Sequence, residues 1–569
     1  MRKLKILSKT FAIAGAMAIS YNYASAQDDE TKTKELPVDK VVVTGTKFDI
    51  PVEKSGKTIY KLSSENIEKN AGKTVADLLN EVPGIQIDGS LGNRGTNVGY
   101  YVRAGRDKNT LVLIDGVPLN DPSGVSASYD LRFLPIDQIE SIEVLKGGLS
   151  TLYGTGASAG VISIKLKEAA IEPVNGKVGL STGSYNTHAV NASVSGSSEK
   201  ISYLVSGNYL SSGGFSVASH DKSTSPFDND EFKQKNTLVK LGFQASEQFE
   251  IDFIGGYDAF EADYDGGAFF DQDNQQLNNQ FRVGLSPKYT YTKGKISLKT
   301  LLNLNDKEFI STYPSHNKGK NIQLDLVQEH QISNYLKGLW GVNYQDLSFK
   351  SVDVDEFSDN AFSMADPYAS LFFENNTGWN IHAGVRLNSH SVYGSKFVYN
   401  LNPSYLLKAT GDLSVKIIAA VSTSYITPSL YQLYSFYGNE ALTPEESLNY
   451  EAGFSLYLNQ KLELNTSYFQ REETNPIGFD FSIGDFGGYA NLTDNRTVDG
   501  YETDIKWTAN DQLTIGVNYA HAVSDLASTF YRIPKDKFGL TVNFDASENT
   551  NISAKYNYTS ARMIQDFGT

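Results

Sequence analysis

Two stretches of the chain concentrate side chains able to do chemistry. Asp228, Asp230 and Glu231 fall within four residues of SPFDNDEFK (225–233). Asp258, Glu261, Asp263, Asp265, Asp271 and Asp273 fall within YDAFEADYDGGAFFDQDNQQ (257–276). Carboxylates this close repel one another, so two such stretches side by side need full solvation or a counter-ion. Calcium takes six to eight oxygen ligands in irregular geometry and suits such a set; the alternative is a pair of plainly solvated loops. The second stretch approaches an EF-hand through Glu261, Asp263, Asp265 and Gly266. Gln272 stands where the bidentate Glu belongs, however, and no flanking helices are expected, so an EF-hand is rejected.

Other chemistries are poorly supplied. The chain has no cysteine, which removes disulfides, thiolate metal sites, cysteine nucleophiles and a lipid-anchoring cysteine together. The seven histidines (His188, His220, His316, His330, His382, His390, His521) are scattered, without a metal-ligand pair at helical spacing, and read as surface or lumen imidazoles. No Gly-x-Ser-x-Gly elbow occurs in a strand-turn-helix context, which argues against a hydrolase. YGTGASAG (153–160) spaces its glycines G-x-G-x-x-x-G without a following Gly-Lys-Ser/Thr, so it reads as a tight small-residue turn and not a nucleotide loop. A formal net charge of -16 argues against nucleic acid as partner.

The elements that must position the acidic stretches are strands. From about residue 172 to 569, segments of alternating hydrophobicity recur between turn residues. Ile296, Leu298, Thr300, Leu302 and Leu304 share one face while Ser297, Lys299, Asn303 and Asn305 share the other; Leu513, Ile515, Val517 and Tyr519 oppose Thr514, Gly516 and Asn518. About twenty such strands are expected, many ending in Tyr or Phe, with short and long connections in alternation. A soluble β-protein or an adhesin could alternate in this way, but a transmembrane barrel demands it, because lipid satisfies no backbone group. Tyr 34, Phe 30 and Gly 48 suit an antiparallel β-structure meeting a membrane interface.

The N-terminal part differs. Arg2, Lys3 and Lys5 precede an apolar stretch, Phe11 to Ile19, and a small-x-small site at Ala24-Ser25-Ala26, so residues 1–26 read as an export signal. Residues 27–47 read as a polar tether ending in a β-prone burst, KVVVTGTK. Residues 48–168 read as a compact α/β domain. Thr74 is expected to cap a helix over Val75 to Asn80, Leu111 to Gly116 to form a buried strand into a turn, and GVISIKLK to form a strand with one wet face.

These motifs, in this order, resemble the TonB-dependent outer-membrane receptors. DKVVVTGT (Asp39, Lys40, Val41, Val42, Val43, Thr44, Gly45, Thr46) is similar to their TonB box, which pairs with TonB by strand addition. TVADLLNEVPGIQI, YVRAG, LVLIDGVPLN and IESIEVLKGGLSTLYGTGASAGVISI resemble their plug, and ITPSLYQLYSFYGNEALTPEESLNYEAGF and YANLTDNRTVDGYETDI resemble their barrel. The resemblance implies a 22-stranded barrel in the outer membrane of a Gram-negative bacterium, with the α/β plug in its lumen. It implies transport coupled to TonB and no enzymatic step. Within the family the acidic loops look like those of vitamin B12 (cobalamin) receptors, which points to Asp228, Asp230, Asp265, Asp271 and Asp273 as calcium ligands. In the plug, Leu91, Asn93, Arg94, Asn97, Asn120, Ser123, Val125, Ser126 and Ser128 stand in the cargo-contact loops. Ser216 stands where these receptors offer a further carboxylate, a role that Asp221 could fill. A ferric siderophore or other metal chelate is the competing cargo. Haem is less favoured, since no His lies between Tyr425 and Tyr450. The chain ends on YNYTSARMIQDFGT without a terminal aromatic residue, and with about twenty strands read against 22, the final hairpin is expected to be missing from the sequence.

Overall fold

The computed structural model describes residues 41–42, 45–218, 227–267, 269–352, 360–408, 412–526 and 530–564. The expected export signal therefore lies outside the described residues, as do Asp39, Lys40, Val43, Thr44, His220 and Asp221. The chain opens on β1 (Val41–Val42), laid antiparallel on β2 (Ile50–Pro51). Phe48 and Ile50 then anchor the segment against Val327, Leu339, Tyr368 and Phe372 of the surrounding wall.

The plug is built on a five-stranded sheet. Its strands are β3 (Ile59–Leu62), β6 (Thr110–Ile114), β7 (Val117–Pro118), β8 (Ile139–Lys146) and β9 (Gly160–Leu166), following the pair β4 (Ile85–Asp88) and β5 (Gly99–Val102). The order is β3-β8-β9-β6-β7, with β6 and β9 parallel. The helix Val75–Asn80 forms as its sequence dictates: the Thr74 hydroxyl accepts from the Asp77 amide, and the Asp77 carboxylate accepts in return from the Thr74 amide. Leu78 and Leu79 on that helix pack with Val112, Ile142, Val144, Ile162 and Ile164 of the sheet. YGTGASAG is a tight turn, with Gly154 and Gly156 both at positive φ.

Around the plug runs one antiparallel sheet. It comprises β10 (Asn175–Gly183), β11 (Thr187–Ser197), β12 (Ile201–Ser212), β13 (Phe232–Gln244), β14 (Phe249–Tyr264), β15 (Asn274–Tyr291), β16 (Gly294–Ile310), β17 (Ser315–Ser333), β18 (Leu336–Ser351), β19 (Asn360–Glu374), β20 (Trp379–His390), β21 (Gly394–Lys408), β22 (Leu413–Ile426), β23 (Glu445–Leu458) and β24 (Leu462–Thr474). A hairpin of β25 (Ile477–Asp480) and β26 (Gly488–Asn491) stands apart. The sheet then resumes with β27 (Arg496–Asn510), β28 (Leu513–Ser524), β29 (Asp536–Ser547) and β30 (Thr550–Thr559). Each strand pairs with the next, giving 19 strands in the sheet where the sequence suggested about twenty of a 22-stranded type. Among the described residues, β25 and β26 lie outside this sheet and pair only with each other.

The faces of the sheet invert the arrangement of a soluble protein. Apolar side chains such as Leu241, Tyr257, Phe281, Leu326, Trp340 and Tyr468 point outward and are exposed, while Gln234, Asn236, Asn303 and Gln323 are buried inside. In β16, Ile296 and Leu304 lie exposed on the outer face and Asn303 and Asn305 on the buried one, as the alternation predicts.

Ion pairs tie the plug to one sector of this wall. Arg103, at positive φ in the turn after β5, places its guanidinium 3.2 Å from Glu451 and 3.0 Å from Glu502, and Lys146 lies 3.1 Å from Glu502. Arg496, paired with Glu473, also donates to the Ala104 carbonyl at 2.9 Å. All these charged groups are buried. Replacing Arg103 with Ala strands two carboxylates with fewer cations, at a cost of roughly 3–5 kcal/mol. The expected outcome is a lowered thermal unfolding temperature and earlier proteolysis of the plug, checked by calorimetry and limited digestion of the purified protein.

Candidate functional site

Strand polarity puts the acidic stretches together. Connections at one end of the sheet are two to four residues long, whereas the opposite end carries 213–231, 265–273, 427–444, 475–495 and 525–535. The loops 213–231 and 265–273 flank the pair β13–β14 and meet at the long-loop mouth. Carboxylate oxygens of Asp228, Asp265 and Asp271 lie within 4.8 Å of one another. Asp273 lies against Asp228, and Asp230 faces Asp265, Asp228 and Asp263. The structure thus brings Asp228, Asp265 and Asp271 of the five expected metal-site residues into one group, with Asp273 and Asp230 as neighbours. Asp258, Glu261 and Asp263 are not in the loop, because β14 runs on to Tyr264. Asp258 is instead buried in the wall, 2.7 Å from Arg282. With 261–264 extended, the EF-hand reading fails on geometry as well.

Backbone and hydroxyl donors hold the cluster open. Asp230, 2% exposed, accepts from the Val217 amide at 2.8 Å, and one Asp265 oxygen accepts from the Ala218 amide at 2.7 Å and the Ser216 hydroxyl at 2.9 Å. Ser216 therefore serves the site as a donor where the resembling receptors place a carboxylate. The Asn93 amide of the plug donates to the Asp230 carbonyl at 2.6 Å. Gly214, at φ +59°, lets the chain pass; a Cβ there would sit 1.8 Å from the Asp230 carbonyl oxygen. Burial and the neighbouring carboxylates push Asp228 up to about 6. Burial, opposed by the Val217 amide and aided by Asp265, pushes Asp230 up to about 6. One Asp271 oxygen is buried without a hydrogen-bond partner among the described residues. An orphaned carboxylate oxygen beside two repelling acids fits a hard divalent cation, since every donor in the set is oxygen.

The plug contact residues divide. Leu91, at φ +62° and 85% exposed, and Val125, 45% exposed, are open to solvent. Asn120 and Ser126 line a small cleft with Lys108, Gln345, Ser429 and Glu445. Four others are committed to the protein itself. Asn93 is buried on Asp230, and Ser123 is buried with its hydroxyl donated to Asp121 at 2.6 Å. Arg94 donates to the Gly72 carbonyl, and Asn97 accepts from Arg132 at 3.4 Å. Ser128 is half-buried, its hydroxyl 3.5 Å from Asp107. Of the TonB-box residues, Val41 and Val42 form β1, and Thr46 is buried with its hydroxyl donated to the Phe48 carbonyl.

Sequence reasoning missed an aromatic group on the same mouth. Phe436 and Tyr437 of loop 427–444 meet Phe486 and Phe479 of the β25–β26 hairpin edge-on at 5.6 and 5.7 Å, and Phe479 in turn meets Phe481 and Tyr489 at 5.0 and 5.3 Å. Phe436 and Phe486 remain 66% and 68% exposed. The Phe and Tyr spacing in FDFSIGDFGGY was a signal, but nothing in it names the partner loop.

Residues 51–161 match the family model of the TonB-dependent receptor plug domain, and residues 177–569 match that of the TonB-dependent receptor-like β-barrel. The chain is 27% identical over 449 residues to the vitamin B12 transporter BtuB of Photobacterium profundum, covering 76% of this chain and 70% of that one. To BtuB of Vibrio cholerae it is 24% identical over 583 residues, covering 97% and 87%. Among solved structures, the siderophore receptor PirA of Acinetobacter baumannii superposes with a TM-score of 0.74 at 18% identity, over 89% of this chain and 87% of that one. A ferric enterobactin receptor, PfeA of Pseudomonas aeruginosa, gives 0.73 at 16%, over 88% and 85%. At these identities the structural likenesses speak for the fold.

The raised carboxyls set a pH dependence. Between the ordinary value of 3.8 and about 6, the folded loops hold protons that the unfolded chain has released, so this contribution to loop stability is fully present below 3.8 and is lost as pH rises through about 6. In chelator, hydrogen exchange at 227–231 and 265–273 is expected to be faster at pH 7.5 than at pH 5. Equal rates at both pH values after correction for intrinsic exchange would contradict the repulsion.

Proposed function

Because the chain belongs to the TonB-dependent receptors of the Gram-negative outer membrane, we propose that it imports cobalamin (vitamin B12), bound at the long-loop mouth after calcium has ordered the acidic loops. The observation that carries this reading is the grouping of the Asp228, Asp265 and Asp271 carboxylates, with Asp273 and Asp230 beside them and Asp230 in contact with the plug through Asn93. The resemblance of the acidic loops to those of cobalamin receptors, and the two BtuB transporters among the relatives, support the cargo. The acidic mouth favours a cargo that is not strongly anionic, since like charge lowers the local concentration of a polyanion.

Calcium supplies charge neutralisation. The carboxylates that repel one another without it become ligands, and loops 213–231 and 265–273 are then held as one surface. Leu91, Val125 and the exposed Phe436 and Phe486 offer apolar contact to the cargo, while Asn120 and Ser126 offer hydrogen bonds. Coupling runs from the other end. TonB pairs with the box Asp39–Thr46 by strand addition and, driven by the inner-membrane proton gradient, pulls on the plug. No covalent step on the cargo is involved. A siderophore or other metal chelate is the second reading, favoured by the fold neighbours that are siderophore receptors.

Cyanocobalamin binding to the purified protein, titrated in calcium and in chelator, tests the cargo and the metal together. Binding is expected to weaken about tenfold or more on chelation, a coupling typical of linked sites. Asp265→Ala, which removes an acceptor shared by three donors, should reproduce that loss in the presence of calcium. No binding under either condition overturns the cobalamin reading. Deletion of Val41–Thr46 should abolish uptake by cells and leave equilibrium binding intact; retained uptake would overturn the coupling.

A further inference from the structure

The plug is held unevenly. Toward β23–β27 it is locked by the buried ion pairs of Arg103, Lys146 and Arg496. Toward β13–β17 the lumen wall also holds the plug, through Gln234, Asn236, Lys240 and Lys307, but keeps some side-chain amides with no partner among the described residues. Asn278 and Asn303, 1% and 0% exposed, have both amide atoms without hydrogen-bond partners among the described residues. So do Nε and Nη2 of Arg282, itself 1% exposed. Buried amides left unbonded by protein are where water or a polar ligand resides. These groups lie along a line. β15 begins at Asn274, directly after Asp273 of the acidic loop, and its buried face runs through 276, 278, 280 and 282 to 286. At an extended rise that spans about 40 Å, from the long-loop mouth to the short-turn side.

The line ends in a cleft of about 560 Å³ between the plug and β13–β16. Arg282, Ser286, Lys240 and Lys299 line it from the wall, and Asp115 and Glu168 from the plug. Ser202, Gly242, Asp252 and Ser286 pair in a row across the wall here, and the exposure of Asp252 shows the cleft reaching solvent at the short-turn side. On the mouth side the plug segment 115–121 closes it. β16 and β17 grip that segment at four points: Lys299 on the Asp115 carbonyl (2.8 Å), Gln323 on the Pro118 carbonyl (2.6 Å), Asn321 on the Asn120 carbonyl (3.2 Å), and Lys307 on the Asp121 carboxylate. Lys240 bridges Asp115 at 3.2 Å and Glu168 at 2.9 Å. The β15–β16 ladder is itself interrupted beside the cleft, between Val283 and Lys288.

We propose that the buried face of β15 is the track along which cargo crosses the barrel, and that the cleft at its end is a second, transit site taking an acceptor-rich edge of the cargo, such as amide or phosphate oxygens. Arg282 and Lys299 supply the donors. Passage requires the segment 115–121 to give up its contacts to Lys240, Lys299, Lys307, Asn321 and Gln323. The assignment rests on the transport reading above and adds to it a route and a second site.

Three variants test it in the full-length protein. Ser286→Trp fills the cleft. Asn278→Leu with Asn303→Leu makes the track apolar; removing amides that have no partner should leave thermal stability equal or raised, which a structural role for them would not. For both variants cyanocobalamin affinity at the outer mouth is expected to stay within about twofold of wild type, while TonB-dependent uptake falls by about tenfold or more, the pattern of a lost step after binding. Wild-type uptake by either variant overturns the track. Ser286→Cys, in a chain with no other thiol, gives a readout independent of cargo: maleimide should label it in the purified resting protein, and failure to label overturns the open cleft. If wild type does not bind cyanocobalamin, the cobalamin reading alone falls, and maleimide labelling of the Ser286→Cys variant still decides for or against the cleft.

Discussion

Hydrocarbon offers a backbone amide no partner, and most of this molecule follows from that single fact. Every strand that crosses must hand its hydrogen bonds to a neighbour, so the chain is spent on long antiparallel strands joined by minimal turns at one end. Side chains that face lipid must be apolar. The period of two then forces the intervening residues inward, and the interior becomes polar. The plug consequently meets a wall of amides, carboxylates and guanidinium groups. Its own fold answers with a surface carrying Arg103, Lys108, Lys146 and Asp121 for the wall to hold, while its apolar core reaches Leu204, Leu238, Phe260 and Leu301 of the wall.

A polar interface of this sort has two states available to each of its groups. Where charges find partners, as around Glu451, Glu473 and Glu502, burial makes the contact stiff, because separating the pair exposes uncompensated charge to a dry environment. Where amides find none, they stay open to water or to a polar ligand. The distribution of satisfied and unsatisfied groups is therefore a map of rigidity inside the lumen.

Much of this was legible in the sequence, for identifiable reasons. Alternation such as Ile296 to Asn305 reports directly which face meets lipid, and Thr74 with Asp77 reports a helix start, since both signals are local. The density of acids in two neighbouring loops was visible in the sequence, but the five aspartates of the mouth were named through the resemblance of those loops to cobalamin receptors. What stayed hidden is non-local or depends on where a strand ends. Asp258 looked like a loop acid until β14 proved long enough to bury it against Arg282. Asn93 and Ser123 looked free for cargo, but their amide and hydroxyl are used within the protein. The pairing of Arg103 with Glu502, nearly four hundred residues away, leaves no trace in either neighbourhood.

The short ladder of β1 on β2 has a mechanical meaning. Val41 pairs with Pro51 and Val42 with Ile50, so the chain reverses between them and both free ends leave from the same side. Tension on the segment before Val41 therefore loads the pairs one after another, as in opening a zipper, and not all together as in sliding two strands lengthwise. Unzipping needs little force, so the ladder yields early and passes the load to the next attachment, the Lys47–Asp325 contact and the seated side chains of Phe48 and Ile50. A chain arranged this way responds to a weak, sustained pull by yielding in sequence from its N-terminal end, instead of resisting until the whole plug is torn loose.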